Sequence, residues 1–273
     1  MAEALTFSFL PAPEELRPFV AGFVERRDIS RAGRALELPM LNPLLQIFLH
    51  GAYHVRDEHG AQARAPAAGL WGPSQRVVTC EHDEPLSVFV IILTNSGLRS
   101  IFGRTPAQIA DKRVDLADVE GGDAFAAQVR RLTDFEQRVA FVSDWLSTKL
   151  KRTPSSVIEI ADRVVSGALR GPVSEIAASV GMNERTLQRA FQSELGWRPK
   201  QGLRLARLQR ALGALHPTPW RTQSECDPLL EFHDQAHLTR EFQALAAITP
   251  GQYRRAKAAN RDRLINTIYL PAR

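Results

Sequence analysis

The stretch that most constrains this chain is Val173–Leu195, VSEIAASVGMNERTLQRAFQSEL, which reads as two short helices folded over a tight turn. Ile176, Ala177 and Val180 share one helical face, and Leu187, Ala190 and Phe191 share another, with Gly181, Met182 and Asn183 between them. Two apolar stripes facing each other across a turn make a corner. Ser174 is placed to cap the first helix, Gly181 suits the left-handed residue that stops it, and Asn183 suits the cap of the second. Arg185, Thr186, Gln188 and Arg189 then lie on the outward side of the second helix, free of packing. Arginine pairs with guanine and glutamine with adenine in a major groove. An ordinary αα-hairpin with a solvated charged face fits the same segment, so the rest of the chain must decide.

Charge is divided unevenly. Residues 171–273 hold 15 Lys and Arg against 9 Asp and Glu, whereas residues 1–170 hold 20 against 21. The basic excess belongs to the C-terminal part and points to a polyanion as the partner of that part. At 273 residues the chain has room for two cores. Cys80 and Cys226 lie far apart and form no disulfide framework, which suits a cytoplasmic location. There is no apolar run of membrane-spanning length and no basic-then-apolar export signal, so a membrane partner is not expected.

The first 150 residues change period. Leu16, Phe19, Val20 and Phe23 suit one face of a short helix after Pro11 and Pro13. Leu44–Leu49, His54–Arg56, Gly69–Trp71, Arg76–Cys80 and Leu86–Leu93 then read as short strands separated by turn residues, an antiparallel sandwich or small barrel able to enclose a small ligand. The helical period returns from Asn95. Phe125, Val129 and Leu132 share a face, and Thr133 and Glu136 have capping-box spacing ahead of Val139, Val142, Trp145 and Leu146. This amphipathic pair packs either on the barrel or on its twin in a homodimer.

Leu150–Ser156 is a polar joint with Pro154, and the domain boundary is placed there. Ser156–Leu169 forms a further amphipathic helix ahead of the corner. Beyond the corner, Pro199–Leu215 predicts a helix of about 25 Å with Leu203, Ala206, Leu208, Ala211 and Leu212 inward and Lys200, Arg204, Arg207 and Arg210 partly outward. The corner's pattern then recurs: Phe232–Phe242 sets against Met182–Phe191 with Leu238 over Leu187, Arg240 over Arg189 and Phe242 over Phe191. A second helix-turn-helix is implied, closed by ITPGQYRR.

ERTLQRAF, the P-x-x-x-L-x-x-x-R-L-x-R-A linker, DQAHLTREF and TPGQYRR, in this order and spacing, together resemble the AraC/XylS class of bacterial transcription regulators over about residues 155–257. The proline-rich opening, Gly69–Arg76 and Leu93–Gly103 are more loosely similar to the β-rich sensory domain of some members. The resemblance implies an α+β chain: a cupin-like antiparallel β-barrel with flanking helices over residues 1–150, an all-α tandem helix-turn-helix domain over 155–257, and a basic tail over 258–273. It implies a non-enzymatic, sequence-specific regulator that puts two recognition helices into successive major grooves of double-stranded DNA, without a cofactor or metal. Carried over by position, Arg185, Thr186, Gln188 and Arg189 belong to the first reading helix, and Gln235, His237, Thr239 and Arg240 to the second. Arg204 and Arg207 are phosphate or structural candidates. A small-molecule effector in the N-terminal domain, a homodimer and contact with RNA polymerase stay open.

One departure matters. Where the second unit's scaffold helix should lie, the chain reads TQSECDPLLEF, with Pro228 inside and Glu231 at a position the family gives to glycine. Proline in a helix interior costs about 3 kcal/mol, so the second unit is expected to be kinked or loosely held and affinity to rest on the first. Two rivals follow. One is a protein-interaction regulator with impaired DNA binding. The other is a cupin-type metal protein using His50, His54 and His59, whose spacing around the Gly51 turn fits a metal poorly. No Ser-His-Asp order, P-loop or dinucleotide glycine pattern is present.

Overall fold

LSVFVIIL is apolar at nearly every position because both faces of its strand are covered. In the computed structural model, which describes residues 6–28, 33–56, 60–82, 84–216, 228–259 and 267–270, this run is strand β9 (Leu86–Leu93). It lies in a six-stranded antiparallel sheet with β1 (Thr6–Pro11), β2 (Val20–Asp28), β4 (Leu44–His50), β7 (Ala68–Trp71) and β10 (Arg113–Asp115), in the order β1-β2-β9-β4-β7-β10. A second sheet, β11-β3-β8-β5-β6, is built from β3 (Gly33–Glu37), β5 (His54–Arg56), β6 (Gln62–Arg64), β8 (Val78–His82) and β11 (Thr267–Leu270). Val88, Val90 and Ile92 point between the sheets and meet Phe48, Tyr53, Val55, Trp71 and Cys80. Phe89, Ile91 and Leu93 point the other way, with Leu45 and Ile47, toward helices α1 (Asn95–Phe102), α2 (Pro106–Ile109), α3 (Gly122–Arg131) and α4 (Phe135–Lys149). The amphipathic pair therefore packs on the barrel through Phe125, Val129, Val139, Val142 and Leu146.

Three local expectations change. The apolar spacing from Leu16 to Phe23 is not a helix: Leu16 ends a 3-10 turn and Val20 begins β2, whose Phe23 and Val24 are buried on opposite faces, so no alternation is visible in the sequence. Helix α4 is capped by Asp134, which accepts from Gln137 N at 3.1 Å, rather than by a Thr133–Glu136 box. Within the stretch read as a basic tail, Thr267–Leu270 pairs antiparallel with β3 from Glu37 to Arg34, because β3 offers an open edge and TIYL is rich in strand-forming residues.

The C-terminal half consists of α5 (Ser156–Ser166), α6 (Val173–Ser179), α7 (Glu184–Leu195), α8 (Pro199–Leu215), α9 (Gln235–Ala246) and α10 (Pro250–Ala259). Helix α6 is preceded by Pro172 without a side-chain cap, so Ser174 does not have the role expected of it. One core gathers Ile160, Val164, Ile176, Leu187, Phe191, Trp197 and Leu205; a second gathers Leu208, Leu212, Phe232, Leu238, Phe242 and Tyr253. Successive turns of α8 thus serve both cores. Gly202 permits the seating of α8, since a Cβ there would lie 2.0 Å from the Trp197 ring.

Both halves are docked on each other. The segment after β3 sends Leu38 into the second helical core and Leu41 into the first, and Gln209 Nε2 of α8 donates to Pro39 O between them at 3.4 Å. Asp162 of α5 accepts from Asn95 N (2.8 Å), Asn95 Nδ2 (2.9 Å) and Ser96 N (2.9 Å), closing the orphan donors at the start of α1. Burial raises the Asp162 carboxyl above its usual range, opposed by these bonds from Ser96 and Asn95. Asp162→Ala leaves the three donors unpaired and is expected to cost about 1–3 kcal/mol. A lowered denaturation midpoint, with faster amide exchange at Asn95 and Ser96, checks this; unchanged exchange there counts against it.

Candidate nucleic-acid interface

Helix α7 begins where the sequence says it should. Gly181 adopts φ +69°, and Asn183 Oδ1 accepts from Thr186 N at 2.9 Å. Burying Leu187, Phe191 and Leu195 leaves Arg185, Thr186, Gln188 and Arg189 exposed together. The Phe191 ring meets Trp197 edge-on at 5.1 Å, which anchors the helix from behind. Its C-terminal end is tied to the N-terminal half by Arg99 Nη1 to Glu194 Oε2 at 3.2 Å, a carboxylate that also accepts from Ser155 Oγ at 2.7 Å.

Helix α9 repeats this construction. Asp234 Oδ1 accepts from His237 N at 2.6 Å, as Asn183 does from Thr186, and Leu238, Phe242 and Ala246 are buried. Pro199 opens α8 after α7 and Pro250 opens α10 after α9; in each case a glutamine, Gln201 or Gln252, accepts from the backbone N–H three residues back. The exposed face differs, however. Gln235 and Arg240 are exposed, but His237 is half-buried, with its ring 5.6 Å from Phe232 and Nδ1 accepting from His233 N. Thr239 Oγ1 donates to Gln235 O at 2.9 Å, and Ala236 occupies the place of Arg185.

The departure in the second unit has a structural answer. Pro228–Glu231 forms a 3-10 turn, where Pro228 at the start gives up no helical hydrogen bond, and Glu231 is not in the left-handed region. Residues 222–227 of the presumed scaffold lie outside the described residues. Glu231 accepts from Arg210 Nε at 2.7 Å and Nη2 at 2.5 Å, and Arg170 stands 3.6 Å away. Burial would raise the Glu231 carboxyl, but Arg210, with Arg170 and Arg207 behind it, holds it below its usual range. Arg210, expected partly outward, is buried.

Arg204 Nε and Nη2 donate to Glu241 at 3.0 and 2.8 Å, which lowers the Glu241 carboxyl, and the Arg207 guanidinium sits over Phe232 at 5.7 Å. Two depressed carboxyls thus hold α9 and its preceding turn to α8. Their contribution is complete above the unfolded value near pH 4.3 and is lost as pH falls through the lower folded values. Acid below about pH 4 is expected to loosen the second unit before the first. Amide exchange resolved by helix checks this; simultaneous opening of both units contradicts it.

Between the start of α6, helix α8 and the 3-10 turn lies a cleft of about 560 Å³ that the sequence did not reveal; Arg170, Lys200, Arg204, Arg207, Arg210 and Glu231 line it. Lys200, Arg204 and Arg207 are spaced to share one side of α8, a usable signal, but Arg170 and Glu231 reach it only through the fold.

In the N-terminal half, Trp71 Nε1 donates to Tyr53 OH (3.0 Å), Tyr53 OH to Glu37 Oε1 (3.1 Å), and Arg113 Nη2 to Glu37 Oε2 (3.1 Å). Burial pushes the Tyr53 hydroxyl and the Cys80 thiol up, with Glu37 adding to both, and Cys80 is buried in the core between the sheets. Among the described residues no group of three His, Cys, Asp or Glu side chains is arranged to hold a metal ion. His59 and Cys226 lie outside the described residues. No described helix is long and apolar enough to cross a membrane.

The family described as helix-turn-helix domain matches residues 176–256, from α6 through most of α10. No curated protein matches the sequence significantly. Among solved structures the chain is similar to ToxT of Vibrio cholerae. An apo lysine-to-alanine variant aligns over 85% of this chain and 96% of that one at 13% identity and a TM-score of 0.51. The wild type bound to an unsaturated fatty acid covers 85% and 94% at 12% identity and 0.50. A ToxT complex with a methylnaphthyl butenoic acid covers 92% and 98% at 12% identity and 0.50. The chain thus carries a helix-turn-helix domain of the AraC type, a class of domain that binds DNA, over residues 176–256, behind an antiparallel β domain.

Proposed function

We propose that this regulator reads duplex DNA through α7 and α9 placed in successive major grooves, with α7 as the principal reader. The observation that carries it is the exposed set Arg185, Thr186, Gln188 and Arg189 on a capped, rigidly backed helix. Linker α8, at 17 residues, is about 25 Å long, and with two helix widths it suits grooves about 34 Å apart. Genome-wide mapping of bound sites, followed by binding to the recovered duplexes, tests it; failure to recover a shared sequence overturns it.

Residues 1–150 are proposed as a sensory and dimerising domain, 155–257 as the DNA-binding domain and 258–273 as a basic tail, of which Thr267–Leu270 pairs with β3. The Trp71–Tyr53–Glu37–Arg113 chain supplies polar anchors in an apolar interior, the chemistry a small-molecule effector needs. A relative that holds a fatty acid supports the same reading. An effector there would act through Leu38–Leu41, which touches both helical cores. The protein is read as cytoplasmic and non-enzymatic, with contact to RNA polymerase and a homodimer as further partners. A second reading, an interaction regulator with impaired DNA binding, draws on the internally bonded His237 and Thr239; a salt-independent affinity for DNA would favour it.

A further inference from the structure

The cleft between the two helix-turn-helix units carries more positive charge than its own carboxylates balance. Among the described residues the five cations Arg170, Lys200, Arg204, Arg207 and Arg210 face three carboxylates, Glu231, the adjoining Glu241 and Glu175 beside Gly171. Like charges gathered round a concavity repel one another, and that cost is offset when an anion enters. The two carboxylates hold Arg204 and Arg210 by paired bonds, so these planar guanidinium groups are set in place beforehand. Arg210 adds a second, independent sign: its side chain is 9% exposed, it lines the cleft, and its Nη1 has no hydrogen-bond partner among the described residues. A buried, unpaired guanidinium nitrogen is costly to leave empty. Lys200, exposed at the rim, makes no ion pair among the described residues and supplies an adaptable point charge. Leu203 and Val173 form an apolar wall suited to a sugar ring.

We infer that this cleft is a phosphate site, and that the phosphate it takes is the DNA backbone passing between the two reading helices. The inference rests on the DNA-binding reading and deepens it, because it assigns Arg170, Lys200 and Arg210 to a contact separate from base recognition. Phosphate contacts position a protein on the duplex without reading sequence. Loss of one should therefore weaken binding to all duplexes alike. A phosphorylated small molecule presents the same oxygens, and the two sources are separable.

The test uses the full chain, a duplex recovered from its genomic sites and a scrambled duplex. Lys200→Ala, at the exposed rim, is compared with the wild type on both. Lys200→Ala should reduce the slope of log K against log salt by about 0.9 on both duplexes while leaving their affinity ratio unchanged. An unchanged slope in Lys200→Ala, or a changed affinity ratio, overturns the DNA assignment of the cleft. In a second arm, pyrophosphate is titrated without DNA and followed by the amide shifts of residues 200–210. Shifts lost in Lys200→Ala support a phosphate site even if the wild type binds no duplex, in which case the DNA reading alone fails and the source is a small molecule. Absence of both effects overturns the inference.

Discussion

Arg138→Ala is expected to cost about 3 kcal/mol, because it removes the buried partner of Glu25 and leaves that carboxylate only the half-exposed Arg27, 2.8 Å away. Arg138 Nη1 and Glu25 Oε2 lie 2.6 Å apart, each side chain 5% exposed. The same guanidinium closes α3: Nε donates to Val129 O at 3.1 Å, Nη1 reaches Thr133 O at 3.4 Å, and Nη2 donates to Leu132 O. For a chain of this size the thermal midpoint should fall by about 6–12 °C. Glu25→Gln should cost less, since the carbonyls remain paired. Combining Glu25→Gln with Arg138→Met should recover only part of the loss, and the remainder measures the capping of α3. A midpoint for Arg138→Ala within a degree or two of wild type would show that the pair contributes nothing to the docking of α4 on β2.

The second large effect is on recognition. Arg189→Ala should weaken binding to the cognate duplex about 10- to 100-fold, the worth of one bidentate arginine–guanine contact. Arg240→Ala should weaken it no more than about threefold, by contrast, because α9 offers a sparser exposed face and binding loss there reflects mainly one charge. Both side chains are exposed, so neither variant should shift the thermal midpoint by more than a few degrees. Equal losses from the two substitutions would contradict the priority given to α7.

Elements with a local cause were legible in the residues. Pro199–Leu215 is helical over the predicted span, and the β5 and β9 spans coincide with the strands expected. Asn183 and Gly181 act as the spacing requires, since caps and left-handed turns depend on a few neighbouring residues. Strand β2 escaped because a strand buried on both faces loses its alternation. Strands β3 and β6 were not anticipated, since each is short and is stabilised by its neighbours rather than by its own pattern.

The candidate site divides along the same line. That α7 presents Arg185, Thr186, Gln188 and Arg189 outward was settled by sequence, because the helical period alone puts Leu187 and Phe191 on the opposite side. Which arginines are available was decided only by tertiary structure. Arg204 faces the same way as Arg207 along α8, yet its guanidinium is held by Glu241, a residue 37 positions away. Glu231, which in sequence looked like a flaw in the second unit, is the acceptor that fixes Arg210 and steadies the 3-10 turn. Local spacing determines the face a side chain lies on; the partner it meets there depends on distant segments brought together by burial, and no local pattern encodes that meeting.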